Sequence, residues 1–195
     1  MKVNVQRIFG NWDIGYSLDK HSSSSVYIGN NEFGHPMFDT TRTEIGEALY
    51  QLKYNSDRSQ ISIIGQQVVD SVGNYLQSAS FIIPMPASKK RAFQPVNEIA
   101  KQVAALMDIP YIENVLVKTA YTAQVKNMPS KEERINTLCS SFKVHNVLAE
   151  DSYNNVLIID DLYDTGSSLE AATTMLRQYT KINKIFVVTI TRKNV

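Results

Sequence analysis

The sequence predicts an α/β fold in which a parallel twisted sheet is flanked by helices. Three observations carry that prediction. Short continuous apolar runs, FIIPMP from Phe81, VLII from Val156 and KIFVVTI from Lys184, have the length of strands buried on both faces. Segments with apolar residues three or four apart lie between them, the period of helices laid on a sheet. The run at Val156 ends in two acids and then turns through Thr-Gly, as a parallel strand does when it hands over to a helix.

Taken in order, residues 1–40 mix aromatic and β-branched positions with turn formers: VNVQRIF, GNW, DIGYSL, the serine run Ser22 to Ser25, and Gly29-Asn30-Asn31. Short antiparallel strands are expected there, as an N-terminal extension to a main domain of residues 41–195. A helix is expected to open at Thr40 or Thr41, with Glu44 as the reciprocal acid of a capping box, and to end near Tyr54-Asn55. Its inward stripe is Ile45, Leu49 and Leu52. Ile61, Ile64, Val68, Val72 and Leu76 form the stripe of a second helix. After FIIPMP, a third is expected to bury Val96, Ile99, Val103 and Leu106. The strand NVLVK, Asn114 to Lys118, leads into a polar stretch of about 25 residues without clear period, the kind of segment that often serves as a binding loop or lid. Beyond the Thr-Gly turn, a last helix faces Leu169, Ala172 and Met175 inward and KIFVVTI closes the sheet.

Composition narrows the function. At 195 residues and 43% hydrophobic the chain has material for a real core, so disorder is excluded as the default. With 20 basic and 19 acidic side chains the formal charge is +1, which excludes a broad polyanion-binding field and makes any anion site local. A lone cysteine, Cys139, cannot form an internal disulfide, and MKVNVQRIFG lacks the apolar core and cleavage site of a signal peptide. A reducing, cytoplasmic setting is expected. No apolar run approaches the ~20 residues of a membrane span.

The chemistry concentrates in VLIIDDLYDTGSSL, Val156 to Leu169. Asp160 and Asp161 fall at the carboxyl end of a parallel strand, where open α/β sheets bind ligands. Asp164, Thr165, Gly166, Ser167 and Ser168 then offer small residues, hydroxyls and unpaired backbone N–H groups at a helix N-terminus, which suits a phosphate dianion. Two carboxylates a ribose length away can accept from a vicinal diol while Mg²⁺ bridges diol and pyrophosphate. The same string also fits the second motif of a P-loop ATPase, but no GxxxxGK followed by Ser or Thr lies upstream. It also fits a plain helix cap with solvated acids.

At these residues the sequence resembles the type I phosphoribosyltransferases, whose signature is four apolar residues, two acids, three variable positions, Thr-Gly and a small or hydroxyl residue. The resemblance implies their fold, with a flexible hood loop over phosphoribosyl pyrophosphate (PRPP). It implies that Asp160 and Asp161 hold the ribose hydroxyls, with Mg²⁺ reached directly or indirectly, and that Asp164 to Ser168 wrap the 5-phosphate. IIPMPASKKRAFQPVNEIAKQVAALMDIP is similar to the ComF-type competence proteins and the amidophosphoribosyltransferases, which implicates Ala87, Ser88 and Lys89 in a pyrophosphate loop. Lys89, Lys90 and Arg91 after a strand end are either cationic donors to that group or a solvated patch. Residues 118 to 142 resemble the flexible loop of the same families, with Lys118, Tyr121, Gln124, Arg134, Asn136 and Phe142 in place. TEIGEALYQLKYNSD also looks ComF-like, so the likeness runs from 41 to 191 and is strongest over 80–110 and 156–169.

The departures are specific. The four-cysteine zinc knuckle common at the start of ComF proteins is replaced by the strand-rich segment with Trp12, Tyr16, Tyr27 and Phe33, side chains more at home in a core than as a base-stacking platform. His21, His35 and His145 are too isolated to read as metal ligands. The start Met1-Lys2 does not show the cysteine nucleophile and glutaminase domain of the amidophosphoribosyltransferases, so glutamine-driven amination by this chain alone is not expected. Asp164 stands where ComF proteins commonly have threonine and hypoxanthine-guanine phosphoribosyltransferases have an aspartate. It is either a general acid or base at a nucleobase or a turn aspartate bonded to its own backbone.

The expected activity is that of a Mg²⁺-dependent pentosyltransferase, in which a nitrogen nucleophile such as a nucleobase or ammonia displaces pyrophosphate from PRPP, with Asp160, Asp161 and Asp164 as its catalytic residues. The alternative is a non-catalytic PRPP-binding regulator or a competence-type DNA-handling adaptor. Nucleic acid, if bound, would meet Lys89, Lys90, Arg91, Lys126, Lys131 and Arg134, but the near-neutral chain does not favour it. The remaining partners expected are an acceptor that no motif identifies and further copies in a homo-oligomer, with no membrane.

Overall fold

A computed structural model describes residues 1–88, 92–119, 128–150 and 152–193. In chain order its strands are β1 (Gln6–Arg7), β2 (Ile14–Lys20), β3 (Ser22–Asn30), β4 (Pro36–Arg42), β5 (Phe81–Pro84), β6 (Leu116–Lys118), β7 (Phe142–Val144), β8 (Asn154–Tyr163) and β9 (Ile182–Arg192). The helices are α1 (Glu44–Tyr54), α2 (Gln60–Val72), α3 (Pro95–Met107), α4 (Lys131–Ser141) and α5 (Ser167–Arg177). Five strands form the central sheet in the order β1-β2-β9-β8-β5, parallel except for the edge strand β1. This is the parallel, two-sided α/β layout expected.

Alternation along each strand divides the core. Ile82, Leu157, Ile159, Phe186 and Val188 turn to one face, where they pack with α1, α2 and α3. Phe81, Ile83, Val156, Ile158 and Val187 turn to the other, beneath α4, α5 and the β6–β7 pair. With both faces dry the strands need no polar alternation, which is why they read as unbroken apolar runs.

The segment 1–40 divides in two. β2 pairs in parallel with β9 inside the central sheet, and Leu18 and Trp12 are core residues on opposite faces. Tyr16 packs partly buried against the first core. Only β3 and β4 form a separate antiparallel ribbon, and it carries the exposed Tyr27 and Phe33. A parallel strand's partner comes from far along the chain, so local pattern alone could not tell β2 from a hairpin strand.

Three helix expectations need correction. Thr40 and Thr41 are not caps but pair with Ser25 and Ser24 in the ribbon. Thr43 caps α1, its Oγ1 accepting from Gly46 N at 3.1 Å and donating to the Lys20 carbonyl at 2.6 Å, so Glu44 is the first helical residue. In α3 the buried face is Pro95, Ile99, Ala100, Val103 and Ala104, and Leu106 is exposed because the small alanines take the contact. Within the polar stretch after Lys118, residues 131–141 form α4, capped by Ser130 Oγ accepting from Glu133 N at 3.0 Å. The pattern Ser130-x-x-Glu133 signalled this start. No apolar stripe did, because only Leu138 and Ser141 of the helix are buried.

The docking of α1 depends on Gly46, where a Cβ would lie 2.0 Å from the His21 carbonyl oxygen. Gly46→Ala is therefore expected to push α1 off the strand ends and cost about 1–3 kcal/mol. Urea unfolding monitored by Trp12 fluorescence reads this out, and an unchanged midpoint would contradict it.

Candidate functional site

The connections of the sheet place a crevice between the carboxyl ends of β5 and β8. From β5 the chain leaves through α3 on one face and returns outside β5, where Tyr111 bridges Ile82 in parallel. From β8 it leaves through α5 on the opposite face toward β9. Neighbouring strands whose continuations part in this way leave a gap at their carboxyl ends, the usual ligand position of open α/β sheets. Here a cavity of about 540 Å³ is lined from the segment that follows β5, from α3, β6, α4, β7, β8 and the loop into α5 and, through Lys53, from α1.

Asp160 and Asp161 line that cavity together. Asp160 Oδ1 accepts from the Asp161 N–H at 2.8 Å, and Asp161 Oδ2 accepts from Lys53 Nζ at 2.6 Å. Burial, and then the charge of Asp161, push the Asp160 carboxyl well above the usual carboxylate range, although the Asp161 N–H and Lys53 oppose this. Thr191 Oγ1 fixes the strand end by donating to the Asp161 carbonyl at 2.9 Å. Nearby, burial together with Arg42 and Lys53 holds His21 below the ordinary imidazole range.

The sequence reading missed Lys53, though a signal was there. It follows Leu49 by four positions and so shares the buried stripe of α1, where a lysine is out of place unless a carboxylate awaits it. Both partners of the pair are about four-fifths buried. Lys53→Met is expected to lower stability by about 1–2 kcal/mol at pH 8. The loss should be smaller at pH 5, where Asp160 takes up a proton and repulsion within the pair falls. Urea titrations at the two pH values test this, and an equal loss at both would contradict it.

The loop from Asp164 to Ser168 forms the next wall. Gly166, at φ 78° before α5, holds the left-handed conformation that favours glycine, and a Cβ there would lie 3.1 Å from the Tyr163 ring. Thr165 Oγ1 and Ser167 Oγ are hydrogen-bonded at 2.9 Å. Neither fills the end of the helix, since no side chain caps the first turn of α5. That leaves its N–H groups as donors for an anion. Asp164 is not bonded to its own backbone. Its Oδ2 meets Lys193 Nζ at 2.5 Å, and Lys193 N in turn donates to the Tyr163 carbonyl. Sequence reasoning also missed Lys193, because only the tertiary pairing of β8 with β9 brings it here.

Opposite stand Ala87 and Ser88 after β5, Lys118 at the end of β6, and Arg134 on α4. Lys118 Nζ lies 5.8 Å from the centre of the Phe142 ring, and burial lowers its pKa from the ordinary lysine value. Arg134 Nε is buried without a hydrogen-bond partner among the described residues. Its helix is tied to α5 by Lys131 Nζ on Glu170 Oε1 at 2.6 Å. Phe142 lines the cavity, whereas Asn136 is exposed and does not. Lys89, Lys90, Arg91, Tyr121, Gln124 and Lys126 lie outside the described residues. Of the six cations considered for nucleic acid, Lys131 is thus engaged by Glu170 and Arg134 belongs to the cavity. No cluster of three or more His, Cys, Asp or Glu suited to a metal occurs among the described residues, and no described helix is long and apolar enough to cross a membrane.

The chain is similar to two curated proteins of Haemophilus influenzae. It is 25% identical to Competence protein F over 134 residues, which are 66% of this chain and 58% of that protein. It is 26% identical to Amidophosphoribosyltransferase over 114 residues, 58% of this chain and 21% of that protein. The matches thus span little more than half of the first relative and about a fifth of the second. No protein-family model matches. Similar solved structures include adenine phosphoribosyltransferase from Leishmania tarentolae, with TM-score 0.48 and 9% identity over 97% of this chain and 94% of that one. Another is orotate phosphoribosyltransferase from Aeropyrum pernix, with TM-score 0.45 and 14% identity over 81% and 70%.

Proposed function

We propose that this chain, with its likeness to Competence protein F and Amidophosphoribosyltransferase, is a phosphoribosyltransferase that binds PRPP and transfers its phosphoribosyl group to a nitrogen nucleophile. One observation carries the reading: two strand-end carboxylates and an uncapped helix N-terminus line the same 540 Å³ cavity, with Lys118 and Arg134 among its other walls. The 5-phosphate sits on the first turn of α5, among the N–H groups after Gly166 and the hydroxyls of Thr165, Ser167 and Ser168. The ribose diol faces Asp160 and Asp161 at the end of β8. Pyrophosphate lies toward Ser88, Lys118 and Arg134, where fixed cations meet the charge that develops as it departs.

The donor set fits Mg²⁺ shared with the ligand. Asp160 and Asp161, the second already held by Lys53, are hard oxygen donors that would hold the ion only in company with oxygens of the ligand. The raised Asp160 carboxyl is consistent with this, since it marks a position short of positive charge. When bound, the ion would supply positive charge against the charge of the departing pyrophosphate, with Asp160 and Asp161 as the residues that would hold it. Asp164 stands beside the cavity with Lys193 as its partner. In this reading the pair meets the acceptor, and Asp164 takes its proton.

The test is a calorimetric titration with PRPP and Mg²⁺ beside a pyrophosphate-release assay offering purines, pyrimidines and ammonia. Binding heat with acceptor-dependent release is expected. Heat without release for any acceptor would make the chain a PRPP-binding regulator, and no heat from folded protein would end both readings.

A further inference from the structure

We propose that the β3–β4 ribbon is a dimerisation arm whose apolar faces are covered by a second copy of this chain. This goes beyond the reading of the cavity and does not depend on it. The ribbon stands outside both hydrophobic cores, yet Val26 is 60% exposed, Tyr27 55%, Ile28 58%, Phe33 76%, Met37 40% and Phe38 55%. Exposed apolar side chains lie on both faces. Tyr27 and Phe38 sit opposite each other in register with ring centroids 5.8 Å apart, while their chain neighbours Val26 and Met37 point to the other side. A two-stranded ribbon solvated on both faces is marginal in water and needs a covering layer.

The tip is built rigidly rather than left loose. Asn31 N donates to the His35 carbonyl, and Asn31 Oδ1 accepts from the backbone N–H groups of Phe33 and His35 at 3.0 and 2.9 Å. Phe33 is thereby presented outward at low entropic cost to a partner.

Charge and area select the occupant. Residues 22–42 carry only Glu32, Asp39 and Arg42 as formal charges, and Arg42 already pairs with Glu47, so the ribbon has no cations for a polyanion or an acidic membrane surface. The exposed parts of the six side chains amount to roughly 600 Å² per chain. Two copies would remove about 1,200 Å², the lower limit of a specific interface, and a two-fold axis lets one patch serve both sides.

Sedimentation velocity of the full chain should show dimer at concentrations from about 10 μM upward. The triple variant V26S/Y27S/F38S should sediment as monomer, with the unfolding midpoint of its core and its PRPP heat unchanged. Since that variant could also misfold, a nitroxide on S25C in a C139A background gives a second readout, a short intermolecular distance by dipolar spectroscopy. Wild-type protein that stays monomeric to ~100 μM, a triple variant that still dimerises, or a monomer that retains single-stranded DNA would each overturn the proposal.

Discussion

Asp160→Asn is expected to abolish PRPP binding while making the protein more stable at neutral and alkaline pH. The folded state holds the Asp160 proton more tightly than the unfolded chain does, because burial and the Asp161 charge raise its carboxyl. Stability contributed by a group raised in this way falls as pH rises from the unfolded aspartate value through the folded one. Asparagine removes that dependence and keeps the acceptor for the Asp161 N–H. Thermal unfolding should therefore give a Tm a few degrees above wild type near pH 8 and little difference near pH 4. The affinity for PRPP with Mg²⁺ should fall at least about a hundredfold, since the proposed function assigns this carboxylate to the diol and the ion. Asp161→Asn should also lose binding but with the opposite effect on stability, because Lys53 is left without its counter-charge. A less stable Asp160→Asn that still binds PRPP would sink both the electrostatic account and the assignment of this carboxylate.

The second large effect is expected at Gly166. An alanine there meets the Tyr163 ring at 3.1 Å and must hold φ 78°, which costs a residue with a side chain about 1–2 kcal/mol. The helix N-terminus can relieve both only by tilting away from the loop, taking the N–H groups of Ser167 and Ser168 with it. Affinity for PRPP, and for ribose 5-phosphate alone, should fall by about a hundredfold, with a modest drop in Tm. Pairing Gly166→Ala with Tyr163→Leu separates the causes, since the ring contact is then gone and only the backbone strain remains. Retention of ribose 5-phosphate binding by Gly166→Ala would remove the phosphate from this turn.

Much of this site was legible because its parts are contiguous. VLIIDDLYDTGSSL holds a strand, its terminal acids, the glycine turn and the next helix within 14 residues, so local chemistry was enough to join Asp160, Asp161 and the Thr165–Ser168 loop. Ala87, Ser88, Lys118 and Arg134 came from resemblance, and all four line the same cavity as that loop. Lys53 and Lys193 escaped for a shared reason. Each reaches its carboxylate across a separation in sequence, 108 residues from Lys53 to Asp161 and 29 from Lys193 to Asp164. The place of Lys53 on the buried stripe of α1 hints that a carboxylate awaits it but does not say which one, and Lys193 has no such local sign. Helix α4 was lost differently, since only Leu138 and Ser141 of it are buried and no apolar stripe marks it in the sequence.

What the amino-acid order determined alone is whatever short range decides: the apolar runs, the stripes of α1 and α2, and the acid-and-glycine turn. Tertiary structure decided which strands are neighbours, and hence that β2 joins β9 while β3 and β4 stand apart as an exposed ribbon. It also decided the charge state of the site, because Asp160 is perturbed by burial and by how Asp161 and Lys53 are arranged around it. The physical reason is one of distance. Hydrogen-bond period and side-chain alternation act over a few residues, whereas desolvation and charge pairing act between whatever the closed chain brings together.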